Sequence, residues 1–170
     1  MSARSQGSTG RRRTAARLAA VQALYEMDVA DASADTVIGA MLKDRWLKSV
    51  SDPDIAEVDE AHFTEILRAV ATPREALDLA LNASLAERMR IERLEVLLRA
   101  ILRAGAYELS ARMDIPASVI INEYLDVAHA FYSGKEPGLV NAVLDRTARQ
   151  MGRDEVAGEP VDPGGYEREP

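Results

Sequence analysis

The sequence predicts an all-α protein of about seven helices in two packed helical bundles. Apolar residues recur at intervals of three and four along most of the chain, and no segment shows the sustained alternation of a half-buried strand. The chain has 170 residues, of which 47% are apolar and only 5% are aromatic. A single chain of this size can bury an aliphatic, alanine-rich core. It contains no cysteine, which excludes disulfides and thiolate chemistry and fits a reducing cytoplasm.

Three helices form the predicted N-terminal bundle, residues 13–71. The first is rich in alanine, the strongest helix former, and carries Leu18, Val21 and Tyr25 at helical spacing. The third follows Asp59, a favourable N-cap residue. The inferred helix bounds are about 13–29, 35–49 and 60–71.

Four helices form the predicted C-terminal bundle, residues 72–151. Thr72, Pro73 and Glu75 have the spacing of a capping box, so the fourth helix should begin there. The fifth, about 91–112, contains Gly105, which costs about 1 kcal/mol of helix propensity and indicates a close helix crossing. Gly134 should end the sixth helix as a left-handed cap. The seventh begins near residue 137.

The charges of the chain are segregated. The formal net charge is −7, yet residues 1–17 carry five arginines and no acid, while residues 26–60 carry ten acids and three bases. A basic leader can bind an anion that the rest of the chain repels. We expect residues 1–12 to form a flexible basic arm and residues 152–170 a disordered acidic tail. No apolar run approaches the roughly 20 residues of a membrane span, so we expect a soluble cytoplasmic protein.

The sequence contains no recognisable active site, metal site or cofactor loop. The two histidines, His62 and His129, lack the further ligands that a metal site needs. Gly134-Lys135 is followed by Glu136 and not by the serine or threonine of a phosphate loop. We therefore predict a protein that is not an enzyme and has no cofactor.

Two features are candidates for nucleic-acid binding. Arg11, Arg12, Arg13 and Arg17 form a positive ridge, because guanidinium groups pair with phosphate and stack on bases. The turn from Phe131 to Lys135 offers aromatic rings and a cation to unpaired bases. Structural explanations compete with both. Basic arms also serve solubility, and Phe131, like Tyr25, has the spacing of a core residue.

Three collinear segments together resemble the NusB family of bacterial transcription antitermination factors. The similarity extends from about Arg13 to Arg149. The matching segments are Arg13, Ala16-Arg17 and Ala20–Tyr25, then Ile101–Leu109, then Ile115-Pro116, Ile121–Tyr124, Ala128–Phe131 and Val140–Asp145. Each segment is weak evidence alone, whereas their combination in this order is specific.

The resemblance implies an all-helical antitermination factor without enzymatic activity. It implies binding of boxA RNA in ribosomal RNA leaders, together with the small-subunit ribosomal protein NusE and RNA polymerase. The resemblance implies RNA binding by Arg13, Arg17 and Phe131. Arg11 and Arg12 are added because they adjoin Arg13, and Lys135 because its charge in the turn should attract phosphate. The implied partner-binding residues are Tyr25, Arg99 and Arg103.

The chain departs from the family pattern at three positions. Leu139 replaces a phenylalanine, Leu98 replaces a glutamate found in some relatives, and Lys135 replaces a residue that is often acidic. A helical protein–protein adaptor without RNA contact is the main alternative function, and an accessory domain of an RNA methyltransferase is a further one. The sequence does not determine whether the chain is a monomer or a homodimer.

Overall fold

The computed structural model describes residues 2–51, 57–72 and 74–153. Within these ranges the chain forms seven α-helices, one short 3-10 helix and no strand, which confirms the all-α class. None of the helices in the described part is long and apolar enough to cross a membrane. The helices are α1 (Ser2–Ala30), α2 (Ala34–Ser51), α3 (Glu60–Ala71), α4 (Arg74–Ser84), α5 (Val96–Ala111), α6 (Ala117–Phe131) and α7 (Glu136–Gln150), with the 3-10 helix at Ile91–Arg93.

The helices pack in two groups around one apolar core. Helices α1, α2 and α3 contact one another, and α5, α6 and α7 contact one another with α4 against α5 and α7. α1 also lies along α5 and α6, so the buried apolar side chains form one continuous cluster from α1 to α7. α5 is the most central helix, because ten of its sixteen residues are buried. The proposed division of the chain at residues 71 and 72 stays a prediction.

The first helix begins earlier than its apolar pattern indicates. α1 runs from Ser2 and has 29 residues, whereas the alanine-rich periodicity predicts a start at Arg13. Extending an existing helix adds one hydrogen bond per residue and needs no new nucleus, so a polar segment can continue it without an apolar stripe. The residues assigned to the basic arm are therefore continuous with α1.

The helix boundaries around α4 and α5 also differ from the predictions. Thr72 is not an N-cap: it has helical backbone angles at the end of α3, and its hydroxyl donates to the carbonyl of Arg68 at 3.0 Å. The predicted fifth helix is interrupted, because Leu94 and Glu95 have extended backbone angles between the 3-10 helix and α5. Periodicity missed this break since Leu94 is buried like the helical residues that follow it.

Of two further predicted helix caps, the structure confirms one and contradicts the other. Asp59 caps α3 as expected, accepting a hydrogen bond from the backbone of His62 at 3.0 Å. Gly134 is not a left-handed cap: α6 ends at Phe131 and continues into extended backbone at Tyr132. The left-handed glycine is Gly152, with a φ of 74° after α7.

The end of α7 is a Schellman motif. The backbone of Arg153 donates to the carbonyl of Ala148 at 2.9 Å, and that of Gly152 donates to the carbonyl of Arg149 at 3.0 Å. This pair of bonds around a left-handed glycine satisfies the last carbonyls of the helix. The predicted disordered tail lies, from residue 154 onward, outside the described residues.

Gly105 lies where α5, α6 and α7 meet, as the sequence predicts. A Cβ atom at this position would lie 2.7 Å from Cδ1 of Leu144 on α7 and 3.4 Å from Cδ2 of Tyr124 on α6. Leu144 and Tyr124 are fully buried. An added methyl group would therefore require the buried side chain of Leu144 to shift.

Replacing Gly105 with alanine should lower the free energy of unfolding by about 1–2 kcal/mol, because the clash with buried Leu144 outweighs the gain in helix propensity. Gly39→Ala on α2 is the control: nothing lies within 4 Å of its added methyl group, so it should stabilise the protein by up to about 1 kcal/mol. Urea denaturation measures both changes. A stabilised Gly105→Ala variant would contradict the close crossing.

Candidate nucleic-acid interface

Arg11, Arg12 and Arg13 form an arginine surface on α1. Arg11 and Arg12 are exposed and Arg13 is half-buried. Arg12 lies 3.4 Å from the carboxylate of Glu57, and Arg13 lies 3.9 Å from that of Asp59. The Arg12 pair is exposed and the half-buried Arg13 pair is long, so each contributes about 0–1 kcal/mol and an incoming anion can replace it.

Contacts with the segment before α3 hold the arginine surface in place. The backbone of Asp59 donates to the carbonyl of Arg12 at 3.2 Å. The Nε atom of Arg13 is buried and has no hydrogen-bond acceptor among the described residues. A buried donor without an acceptor is costly, so the contact with Asp59 at 3.9 Å compensates this guanidinium only weakly.

Arg17 belongs to the core and not to the arginine surface. Its side chain is 4% exposed, and its guanidinium donates to both carboxylate oxygens of Glu108 at 2.7 and 2.9 Å. A third contact joins it to Glu123 at 3.3 Å. Moving Arg17 to a phosphate would leave the buried carboxylate of Glu108 without its cation. The contacts of Arg17 are thus structural, and its assignment to RNA stays a prediction.

Glu108 is contacted by polar side chains from three other helices. Besides Arg17 on α1, Tyr124 on α6 donates its hydroxyl at 2.6 Å, and Nε2 of His62 on α3 lies 3.1 Å away. Arg112 lies 3.1 Å from Nδ1 of the same histidine. Since an arginine can only donate, Nδ1 must accept, which places the imidazole hydrogen on Nε2, facing Glu108.

The environment of Glu108 keeps it ionised. Burial alone would raise the pKa of this carboxyl, but hydrogen bonds from His62 and Arg17, the charge of Arg17 and the hydroxyl of Tyr124 together lower it to about 2. Burial, with the charge of Glu108 beside it, raises the pKa of Tyr124 well above its ordinary value. The carboxylate is therefore anionic and the phenol neutral throughout the physiological range.

This cluster orients α1 for the arginine surface. Thr14 donates its hydroxyl to Glu123 at 2.7 Å, so α1 is fixed to α6 one turn before Arg17. The three arginines precede these contacts directly and project beyond them. Their position consequently depends on side chains of α5 and α6 that follow them by about 100 residues in the sequence.

The second candidate, the turn between α6 and α7, also lies at the surface. Phe131 is 39% exposed and Lys135 is exposed. The hydroxyl of Tyr132 donates to Glu95 at the start of α5. Phe131 is eight residues after Glu123 on α6, about 12 Å along the helix axis. The structure therefore places the turn and the arginine surface at separate positions along α6.

Leu139 and Leu98, two of the three departures from the family pattern, are both buried. Leu139 is 3% exposed on the first turn of α7, and Leu98 is 1% exposed on α5. Both side chains pack in the core, so neither presents a surface for RNA or protein. The third departure, Lys135, is the one that changes the surface.

The three residues assigned to a protein partner have different positions. Tyr25 is 41% exposed on α1, with exposed Val29 one turn further on. Arg99 is half-buried and donates to the carbonyl of Glu92 at 2.9 Å. Arg103 is buried, and its assignment to a partner surface stays a prediction.

Arg103 is the centre of a second buried ion cluster. It donates to both carboxylate oxygens of Asp78 at 2.7 and 2.8 Å and lies 3.3 Å from Asp28, which also pairs with Arg74 at 2.8 Å. These contacts join the end of α1 to α4 and α5. Arg103 is held inside the protein by two carboxylates and cannot reach a partner without abandoning them.

The sequence analysis did not identify the carboxylates of either buried ion cluster. Glu108 lies next to the apolar positions of α5 in the sequence. A carboxylate on a buried helix face indicates that a cation from another part of the chain is buried against it. The identity of that cation depends on tertiary contacts. Within the described residues no group of histidine, aspartate and glutamate is arranged to hold a metal ion.

Comparisons with known proteins give a consistent result. The sequence pattern of the NusB family matches residues 14–149. "Transcription antitermination protein NusB" from Bradyrhizobium sp. (strain BTAi1) is 46% identical over 146 residues, covering 85% of this chain and 86% of the relative. The protein of the same name from Caulobacter vibrioides is 44% identical over 137 residues, 81% and 92% of the two chains. The solved structure of T. maritima NusB has a TM-score of 0.68 at 26% identity, covering 81% of this chain and 91% of that one.

Arg17→Ala should lower the free energy of unfolding by about 3–5 kcal/mol, because it leaves Glu108 buried without its cation. Arg68→Ala is the matched control. Its pair with Asp35 is exposed on both sides, so the change should stay within about 0.5 kcal/mol. Equal effects of the two substitutions in urea denaturation would contradict the structural role of Arg17.

The ionisation of Glu108 should make stability depend on pH. Its pKa is lower in the folded chain than the ordinary 4.5, so this contribution is complete above about pH 4.5 and is lost as the pH falls toward 2. Glu108→Gln removes the titrating group. The difference in unfolding free energy between wild type and Glu108→Gln should therefore shrink between pH 5 and pH 2.5. A difference that stays constant over this range would exclude the predicted shift.

Proposed function

This chain belongs to the NusB family, and from that premise we propose that it is an antitermination factor that binds boxA-type RNA. It acts on the leaders of ribosomal RNA transcripts together with the ribosomal protein NusE and RNA polymerase. The observation that carries the proposal is the arginine surface: three guanidinium groups project from a helix whose next turn is locked into the core.

The arginine surface is preorganised for phosphate. Arg13 already has a buried donor without an acceptor, and Arg12 is held only by a long contact with exposed Glu57. A phosphate oxygen can bind both without displacing a strong interaction. Because α1 is fixed by Arg17, little conformational freedom is lost on binding at this position.

The α6–α7 turn supports the proposal as a second contact. The ring of Phe131 has enough exposed area to stack on an unpaired base, and Lys135 adds a positive charge four residues later. A single strand that contacts both features would follow α6 from Glu123 toward Phe131. Arg11, Arg12, Arg13, Phe131 and Lys135 are the RNA-binding residues of this proposal.

NusE has an electrostatic role in the proposal. The chain carries −12 outside its first 17 residues, which weakens attraction of RNA to the arginine surface. Exposed Tyr25 and Val29 are close in sequence to two exposed acids, Glu26 on α1 and Asp31 directly after it. A basic ribosomal protein bound there would neutralise these acids and increase RNA affinity. Arg99 is the second residue proposed for that contact.

A helical adaptor without RNA contact is the second candidate. It is favoured by the structural roles of Arg17 and Arg103, which remove two cations from the surface. Exposed Tyr25 and Val29 would serve an adaptor equally well. The two functions differ in whether Arg11, Arg12 and Arg13 are required.

Replacing Arg11, Arg12 and Arg13 together with alanine should weaken binding of boxA-type RNA, with and without NusE. Loss of three phosphate contacts should also make the slope of log affinity against log salt shallower by about 2, at roughly 0.7 per contact for a single strand. The matched control replaces three arginines that are also exposed but lie near the 3-10 helix, namely Arg88, Arg90 and Arg93.

The control variant changes the net charge equally, so it should lose much less affinity and keep the salt slope. Fluorescence anisotropy at two salt concentrations measures both quantities. If the two variants behave alike while NusE binding is unchanged, the adaptor is the correct function and the RNA proposal fails.

A further inference from the structure

We infer that Asp28 is a positioning residue for the partner surface, because it holds the last turn of α1 against α4 and α5. The partner surface consists of Tyr25 and Val29 on α1 and Arg99 on α5. The placement of the helix end does not depend on what binds there. Its effect on NusE rests on the function proposed above.

Asp28 lies between the two exposed residues of α1 in the sequence but turns into the protein. Only 12% of its side chain is exposed, whereas Tyr25 and Val29 are both exposed. One carboxylate oxygen accepts from Arg74 at the start of α4 at 2.8 Å, and the other accepts from Arg103 on α5 at 3.3 Å. A single carboxylate therefore ties the end of α1 to two other helices.

The two arginines differ in what else holds them. Arg103 donates to both oxygens of Asp78 on α4 at 2.7 and 2.8 Å, so the contact between α4 and α5 does not depend on Asp28. Among the described residues, Arg74 has no carboxylate partner besides Asp28. Neutralising Asp28 should therefore release the end of α1 and leave α4 and α5 joined.

The contact with Arg103 also joins the two helices of the partner surface. Arg99 is one turn before Arg103 on the same side of α5. Tyr25 and Val29 are likewise one turn apart on one side of α1. The ion pair between Asp28 and Arg103 thus sets the position of the α1 residues relative to Arg99.

A separate ion cluster holds α1 eleven residues earlier. Arg17 donates to both oxygens of Glu108, about 16 Å before Asp28 along the helix axis. The buried residues between the two anchors are mostly small: Ala19, Ala20, Val21, Ala23 and Leu24. Each end of this stretch has its own anchor, so the loss of one should act locally.

The backbone that follows α1 gives its last turn little support. Asp31 has a φ of 51°, in the left-handed region where helices usually have glycine. Across this turn the backbone of Ala32 donates to the carbonyl of Met27 at 3.2 Å, the long end of the normal range. The last turn therefore depends on the contacts of Asp28.

A fixed last turn presents Tyr25 and Val29 to a partner without further ordering, and binding costs less when the bound conformation already exists. If the turn were correctly placed only about one tenth of the time, the apparent affinity for NusE would fall about tenfold. RNA affinity in the absence of NusE should not change, since Arg17 still holds the part of α1 next to the arginine surface.

Hydrogen exchange of the full-length protein tests the positioning without a partner. Asp28→Asn keeps the size of the side chain and removes its charge. The amides of residues 28–32 should exchange at least about tenfold faster in this variant, whereas those of residues 16–21 should not change. Asp31→Asn is the matched control, because it removes one exposed charge and asparagine also tolerates the left-handed backbone. It should leave both groups of amides as in the wild type.

A pair of substitutions at Arg74 gives a second test at a half-exposed position that folding should tolerate. Arg74→Gln removes one cation from Asp28 and should speed the exchange of residues 28–32 as Asp28→Asn does. Arg74→Lys keeps a cation within reach of the carboxylate and should restore slow exchange. Equal exchange in the two Arg74 variants would contradict the role of this ion pair.

NusE binding, measured by titration calorimetry at a temperature where every variant is folded, tests the effect on the partner. Asp28→Asn should bind NusE about tenfold more weakly, and Asp31→Asn less than about twofold more weakly. The effect of Asp28→Asn should persist at about 0.5 M salt, because a largely buried ion pair is screened much less than an exposed charge. A purely structural role would lower stability and leave the affinity of the folded protein unchanged.

The outcomes separate this inference from the proposed function. Unchanged exchange of residues 28–32 in both Asp28→Asn and Arg74→Gln overturns the positioning, whatever the NusE result. Faster exchange together with equal NusE affinities of Asp28→Asn and Asp31→Asn overturns the effect on the partner. Faster exchange in a protein whose wild type binds no NusE supports the positioning of the helix end and rejects the function proposed above.

Discussion

The carboxylate of Glu108 is the point at which four helices of this fold meet. Arg17 on α1 and Tyr124 on α6 donate hydrogen bonds to it, and Nε2 of His62 on α3 lies 3.1 Å from it. A carboxylate withdrawn from water is expensive unless its hydrogen-bonding capacity is filled. The three side chains must therefore keep their places, and this requirement fixes the register of α1 more tightly than its alanine-rich apolar face could.

The position of each arginine relative to this cluster determines its role. Arg13 and Arg17 are one helical turn apart on the same face of α1, yet Arg17 is buried against Glu108 and Arg13 is half-buried with only a long contact to Asp59. Residue type and spacing cannot separate the two, because both are arginines at equivalent helical positions. The difference comes from Glu108, which is 91 residues away in the sequence. Arg103 is a second example, because its ion pairs with Asp28 and Asp78 hold it in a buried position.

What the sequence predicted well was local or periodic. The apolar spacing identified all seven helices, Asp59 was recognised as a cap, and Gly105 as a close crossing. The errors lie where no periodic signal exists. A polar segment extended α1 to Ser2, extended backbone at Leu94 and Glu95 separated the 3-10 helix from α5, and a left-handed glycine occurred at position 152. The arginine surface and the α6–α7 turn were predicted as features, whereas the division between surface and core required the tertiary partners.

The two buried ion clusters also change how the charge of the chain should be counted. Arg17 and Arg103 each face two carboxylates at close range, so neither adds positive potential outside the protein. Of the five positive charges in the first 17 residues, the one on Arg17 is thus cancelled within the fold. The field at the arginine surface is weaker than composition implies, and the acids around it are correspondingly more important. RNA binding at such a surface depends on neutralising the negative charge nearby. Whether the neighbouring acids are paired with cations therefore controls the affinity for RNA.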